Sequence, residues 1–150
     1  MDLDVGPDDG CAVFMTSHGS RSGFYIKSDN TLTPNKLDSI LDAACGERPT
    51  VVLISACYSG VFMDALKADN RIIMTAARKD RTSFGCSAEA TYTYWDSCMI
   101  EELPEANTWT ELYSTVTACI EVKESRGNFK RSFPQASFGS ILRDARIFKK

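Results

Sequence analysis

The sequence predicts an α/β domain with a mainly parallel sheet, and three observations predict it. Short apolar runs at Cys11–Thr16, 51–54 and 71–76 have the length and composition of buried strands. Between the first two runs lies a segment with helical apolar spacing, the alternation expected of parallel strands joined by crossover helices. Each of the first two runs ends in a short polar stretch containing glycine. In open α/β sheets that end of the strands is where ligands bind.

Residues 1–10 are acidic, with two glycines and one proline, and read as a leader or loop before a domain over 11–150. The run Cys11–Thr16 is expected to be a strand buried on both faces. It stops at the polar stretch 17–23, after which Phe24-Tyr25-Ile26-Lys27 forms a short second strand and Ser28-Asp29-Asn30 a turn. Thr33-Pro34 then opens a helix, with Thr33 as the N-cap and Pro34 in the first turn. Leu37, Ile40, Leu41 and Ala44 give it one apolar face, and Gly46 ends it. The strand 51–54 runs into Ser55-Ala56-Cys57-Tyr58-Ser59-Gly60. A short helix over 61–68 leads to the strand 71–76 and a polar loop over 78–87. Helices are expected over 88–102 and 108–124, separated at Pro104. In the last of these Leu112, Thr115, Val116, Cys119, Ile120 and Lys123 form a mostly apolar stripe.

At 150 residues the chain is one domain, large enough to bury roughly 70% of its unfolded surface. Its net charge is −3 and its pI 5.2, without the basic excess of a nucleic-acid binder. No apolar run approaches the ~20 residues of a membrane span, and the acidic N-terminus lacks the apolar core of a secretory signal. Compartment is left open. Of the six cysteines, Cys11, Cys45 and Cys119 lie in apolar-periodic segments, where a free thiol packs as a small hydrophobe. Reduced thiols are therefore the expectation. One histidine and no Cys-x-x-Cys pair speak against a structural zinc site, and no metal or cofactor is implied.

With one histidine, imidazole chemistry must use His18. A cysteine attacks as thiolate, and a nearby imidazole assists its deprotonation. His18 follows one predicted strand and Cys57 the next, so neighbouring strands would set the two side chains together. Gly19 lets a substrate carbonyl approach the backbone closely. The N–H groups of Gly19 and Cys57 could together bind an oxyanion, a term worth about 3 kcal/mol per donor. Taken singly, His18 reads as a surface residue and Cys57 as packed core. Their joint placement points to an enzyme.

At these residues the sequence resembles the legumain-like cysteine peptidases, family C13 of the clan that also holds the caspases. The resemblance is carried by Thr16-Ser17-His18-Gly19-Ser20, then Ser55-Ala56-Cys57-Tyr58-Ser59-Gly60. It continues in Thr75-Ala76-Ala77 and Asp80-Arg81-Thr82-Ser83-Phe84-Gly85-Cys86-Ser87. Thr93-Tyr94-Trp95-Asp96 and Phe133-Pro134-Gln135-Ala136-Ser137-Phe138-Gly139 look like its bacterial branch. The resemblance implies a caspase-like three-layer sandwich and a Cys/His dyad that cleaves peptide bonds. Cys57 would be the nucleophile, His18 the proton donor to the leaving amine, and Gly19 with Cys57 the oxyanion hole. Thr82, Ser83 and Phe84 would align the substrate backbone by strand addition. Asp96 and Ser55 would line the pocket for the side chain before the scissile bond. Arg81 is expected to meet either a surface carboxylate or the substrate.

Three departures shape the expectation. Ser55 stands where legumains carry Glu and caspases Gln, so a preference for Asn or Asp does not carry over. Ser17 precedes His18 where plant and animal legumains have Asp. In the family an earlier strand and helix supply a pocket arginine and a residue that orients the histidine, yet residues 1–10 hold no arginine. The expectation is a chain lacking part of that pocket, with an open sheet edge that invites a homo-oligomer. Its partner is a peptide or protein substrate. Two alternatives remain: a catalytically silent domain of the same fold that binds a peptide or protein, and a thiol-dependent acyl transferase. Added amine would separate the transferase from a hydrolase through its products.

Overall fold

A computed structural model describes residues 6, 9–27, 30–85 and 90–147. Most of the expected leader, Ser28 and Asp29 of the expected turn, Cys86 and Ser87 of the polar loop, and the expected helix start at 88–89 lie outside these residues. Four strands form the main sheet: β1 (Cys11–Thr16), β5 (Thr50–Ser55), β6 (Arg71–Thr75) and β7 (Gln135–Phe138), in the order β1-β5-β6-β7. The first three are parallel, with Thr16 opposite Ser55 and Ile54 opposite Thr75, and β7 runs antiparallel to β6. After β1 the chain makes a small separate sheet of β2 (Gly19–Ser20), β3 (Gly23–Lys27) and β4 (Asn30–Leu32).

Helices cover both faces of the main sheet. On one side α1 (Pro34–Ala44) and α2 (Met63–Leu66) pack on Val52, Ile54 and Ile73 through Leu37, Leu41, Met63 and Leu66. On the other, α3 (Tyr94–Glu102) and α4 (Trp109–Arg126) pack on Ile72 and Met74 through Trp95, Met99, Leu112, Val116 and Ile120. The result is a mixed α/β sandwich with a mainly parallel central sheet, consistent with the caspase-like architecture. No helix among the described residues is long and apolar enough to cross a membrane.

The signals at Thr33 and Gly46 act as read. Thr33 caps α1 by accepting the Lys36 N–H, Thr93 caps α3 and Thr108 caps α4, each through its side chain. Gly46 takes φ 55° beyond the C-cap of α1. Several expectations need correction. Alternate residues of β1 are exposed, Phe14 at 55%, because β1 ends the sheet and α3 meets it only at Thr16, through Asp96. Its outer edge pairs with no described strand. Ile40 and Ala44 of α1 are also exposed; the buried row is Leu37, Leu41 and Cys45. The segment after Cys57 forms a 3-10 turn over Ser59–Phe62 before the four residues of α2, and α3 starts only at Tyr94. The strand β7 had no signal of its own: four half-buried residues do not outweigh the propensities around them.

The expectation of reduced thiols is overturned. Cys11 at the start of β1 is bonded to Cys45 at the end of α1, and Cys98 of α3 to Cys119 of α4, each with Cα atoms 5.9 Å apart. Apolar periodicity cannot tell a buried thiol from a half-cystine, since both are hydrophobic. The first bond explains the corrected α1 face, because it aligns the helix on the row that ends in Cys45. Among the described residues Cys57 is the free cysteine. Each disulfide closes a loop that should stabilise the fold by ~3 kcal/mol. Alkylation without reductant should leave these four cysteines unmodified, and full reduction should lower the melting temperature by on the order of 10 °C per bond. Unreduced protein that alkylates at all four would refute the pairing.

One buried charge fixes α1 to the sheet. Arg71, 3% exposed at the start of β6, donates to Asp38 and Asp42 of α1 at 2.6 Å each and to the Leu66 carbonyl at 3.2 Å. With three acceptors the guanidinium is compensated, as a buried charge must be.

Candidate active site

The site forms where β1 and β5 end side by side. Their register places Thr16 beside Ser55, and the Ser17 N–H continues the ladder to the Ser55 carbonyl at 3.2 Å. His18 and Cys57 each lie two residues beyond these partners. The small hairpin then turns the chain back, with the Tyr25 N–H donating to the His18 carbonyl at 2.9 Å. That bond makes Gly19 and Phe24 a pair whose own N–H groups point out of the hairpin ladder. A shallow groove lined by Ser17, His18, Tyr25, Ile26 and Lys27 flanks the imidazole.

Gly19 lies directly against the backbone of Cys57. A Cβ there would overlap the Cys57 carbonyl oxygen and lie 3.0 Å from Ala56 Cβ. Only glycine lets the backbone beyond His18 lie against the backbone of the cysteine. The His18 imidazole is exposed and makes no hydrogen bond among the described residues. Catalytic hydrogen bonds are often long in a ligand-free protein and tighten in the complex.

Cys57 sits on a sharp turn. Tyr58 has φ 58°, a left-handed conformation that is uncommon for a tyrosine and of a kind found at functional sites. The turn is tied down by the Tyr58 N–H to the Arg81 carbonyl at 2.8 Å and the Gly60 N–H to the Ala77 carbonyl at 2.8 Å. Buried Ser59 accepts the Ala77 N–H at 3.1 Å. The Cys57 N–H donates to no acceptor among the described residues. The half-buried thiol meets one residue of the expected aligning segment: Sγ accepts the Ser83 N–H at 3.3 Å and lies 3.5 Å from the Ser83 carbonyl oxygen. Thr82 is exposed, and the Phe84 carbonyl is taken by the Tyr94 N–H at 2.9 Å.

Below the strand ends lies a polar cluster. Asp96, 8% exposed in the first turn of α3, accepts the Thr16 hydroxyl at 3.0 Å through Oδ2, and its buried Oδ1 has no partner among the described residues. Ser55, 1% exposed, shares a hydrogen bond of 3.2 Å with Thr93, which in turn accepts the Asp96 N–H at 3.1 Å. Asp96 is therefore a buried carboxylate and not a solvated helix-surface acid. Thr16 and Thr93 hold it, and neither was singled out from the sequence, although Thr93-x-x-Asp96 has the spacing of a capping box.

Arg81 meets no carboxylate among the described residues. Its guanidinium lies 5.3 Å from the centre of the Phe133 ring, and its Nε is buried without an acceptor. Half-buried Arg78 instead grips Asp80 in a two-pronged pair at 2.6 and 2.9 Å, holding that carboxyl down to about 2. The pair is fully formed above the ordinary Asp range and is lost only as the pH falls toward 2.

The structure thus sets the backbone of Gly19, which follows His18, against Cys57, puts Ser83 on the Cys57 sulfur, and buries Ser55 and Asp96 near the strand ends. No curated protein matches the chain. The model of the Peptidase C13 family matches residues 2–142. That span contains every residue of the site, and the chain belongs to the Peptidase C13 family of legumain-like cysteine peptidases.

Proposed function

We propose that the protein is a cysteine endopeptidase with Cys57 as nucleophile and His18 as general acid and base. The single observation that carries this reading is the contact of Gly19 with the Cys57 backbone, which requires glycine and brings the histidine's segment against the cysteine. The Cys57 thiolate attacks the carbonyl carbon of the scissile bond, forming a C–S bond and an oxyanion. The N–H groups of Gly19 and Cys57 receive that oxyanion. His18 protonates the departing amine as the C–N bond breaks, leaving a thioester. Water then attacks the thioester, His18 takes its proton, and the acid is released with the thiol restored.

In this reading the peptide lies along Thr82, Ser83 and Phe84, and Ser83 offers it both backbone groups. Asp96 lies in the wall of the pocket for the side chain before the scissile bond, with Ser55 beside it. The Asp96 Oδ1 lacks a donor, which suits a substrate side chain bearing N–H groups. The disulfides are of the kind that persist in an oxidising compartment.

Peptide acyloxymethyl ketones with Asn, Asp, Lys or Arg before the warhead test this reading. Mass spectrometry of the labelled protein should find modification confined to Cys57 and lost in His18→Ala. Labelling of Cys86 as readily as Cys57, or of neither, would favour a silent peptide-binding domain.

A further inference from the structure

The segment 127–134 between α4 and β7 takes no part in the chemistry above, yet it is held with unusual care. Asn128 and Phe133 both have left-handed backbones, at φ 53° and 54°. For an aromatic residue that conformation costs on the order of 1–3 kcal/mol and survives only where surroundings impose it. Here they do. Glu124, 1% exposed, accepts the Ser132 N–H with its two carboxylate oxygens at 3.0 and 3.2 Å. The Ser132 carbonyl accepts the Arg78 N–H at 2.9 Å, and the Phe129 N–H donates to the Glu124 carbonyl at 2.9 Å. The Arg78 and Arg81 guanidinium groups cover the Phe133 ring.

The product of this bracing is one aromatic ring in a fixed place. Phe129 stacks on Phe84 with centroids 4.6 Å apart and planes 19° apart, while the edge of Tyr94 abuts it at 5.8 Å. Phe129 nevertheless remains 43% exposed. A strained loop that presents half an aromatic ring to solvent gives up burial that stability alone would favour.

Phe84 follows Ser83, whose N–H and C=O both face the Cys57 sulfur. In an antiparallel strand addition, Ser83 stands opposite the residue whose carbonyl is attacked. Phe84 then stands opposite the next residue upstream. Directly opposed residues project their side chains to the same face. We propose that Phe84 and Phe129 form a platform for an aromatic or large apolar side chain at the second substrate position before the scissile bond. This rests on the peptidase reading for its register, and Glu124 acts through Ser132 as the positioning residue of the platform.

The test compares peptides that differ only at that second position, Phe or Leu against Ala, in two assays. In the native enzyme kcat/KM should favour Phe by about tenfold. Phe129→Ala should reduce that preference to within about twofold, and Phe129→Tyr should keep it. In parallel, Cys57→Ser protein should bind the Phe peptide more tightly than the Ala peptide, and Phe129→Ala in that background should remove the difference. Turnover without a second-position preference, or a preference that survives Phe129→Ala, overturns the platform alone. Binding preference without turnover in the native protein overturns the peptidase reading and upholds the platform. Neither binding preference nor turnover overturns both.

Discussion

Replacing Cys57 with alanine is expected to lower peptide turnover by at least ~10⁴-fold, a loss of the size seen when a nucleophile is removed. The fold should survive the change. Cys57 is outside both disulfides and only half buried, and its sulfur touches Ser83 alone among the described hydrogen-bonding groups. Losing it therefore costs one weak acceptor for the Ser83 N–H, and the melting temperature should move by no more than a few degrees. His18→Ala should cost about 10²–10⁴-fold, because proton transfer can be partly supplied by water. Its exposed side chain carries no hydrogen bond among the described residues, so stability should again be unchanged. Alanine at Cys11 or Cys45 should do the reverse, weakening the fold while leaving the chemistry of refolded protein intact. A Cys57→Ala protein that still cleaves would show that another group performs the attack.

Gly19→Ala is expected to remove activity through geometry instead of chemistry. The added Cβ would collide with the Cys57 carbonyl oxygen, a backbone atom that no rotamer change can move aside. Either the hairpin that begins at Gly19 lifts away, or the turn that holds Cys57 shifts. That turn is pinned to Arg81 and Ala77, so the hairpin should yield. Overpacking of this kind costs about 1–3 kcal/mol. The same movement would shift His18, the proposed acid and base, relative to Cys57, and displacement of a catalytic group by about 1 Å can cost 10²-fold. Turnover should accordingly fall by about 10²-fold or more while Cys57 remains open to small alkylating reagents. Wild-type kcat in a folded Gly19→Ala protein would mean that the approach of the two segments is irrelevant to catalysis.

Much of this architecture is written in local patterns. The apolar runs of β5 and β6, the cap at Thr33, and the stop at Gly46 each follow from neighbours in the chain. So does the order in which His18 and Cys57 leave adjacent strands. Those signals work because a cap or a buried strand is decided by residues within a turn or two of one another. The two-step motif of histidine, glycine and cysteine carried the family resemblance for the same reason.

Only the tertiary structure decided the rest. Whether Cys11, Cys45, Cys98 and Cys119 are thiols or cystines depends on which elements face each other, and hydrophobicity is identical in both cases. The exposure of Phe14 and Ile40 depends on where the covering helices stop. Only the resemblance marked Asp96 in the sequence; that it is buried and accepts from Thr16, 80 residues away, is a property of the fold. The platform of Phe84 and Phe129 depends on a strained loop fixed by a buried glutamate, and no spacing announces either. The class of fold and the family were legible in the sequence, because both rest on local order, and the proposed pair of His18 and Cys57 follows from that family. Their surroundings needed the folded chain, because burial, pairing and stacking are properties of residues distant in sequence and adjacent only in space.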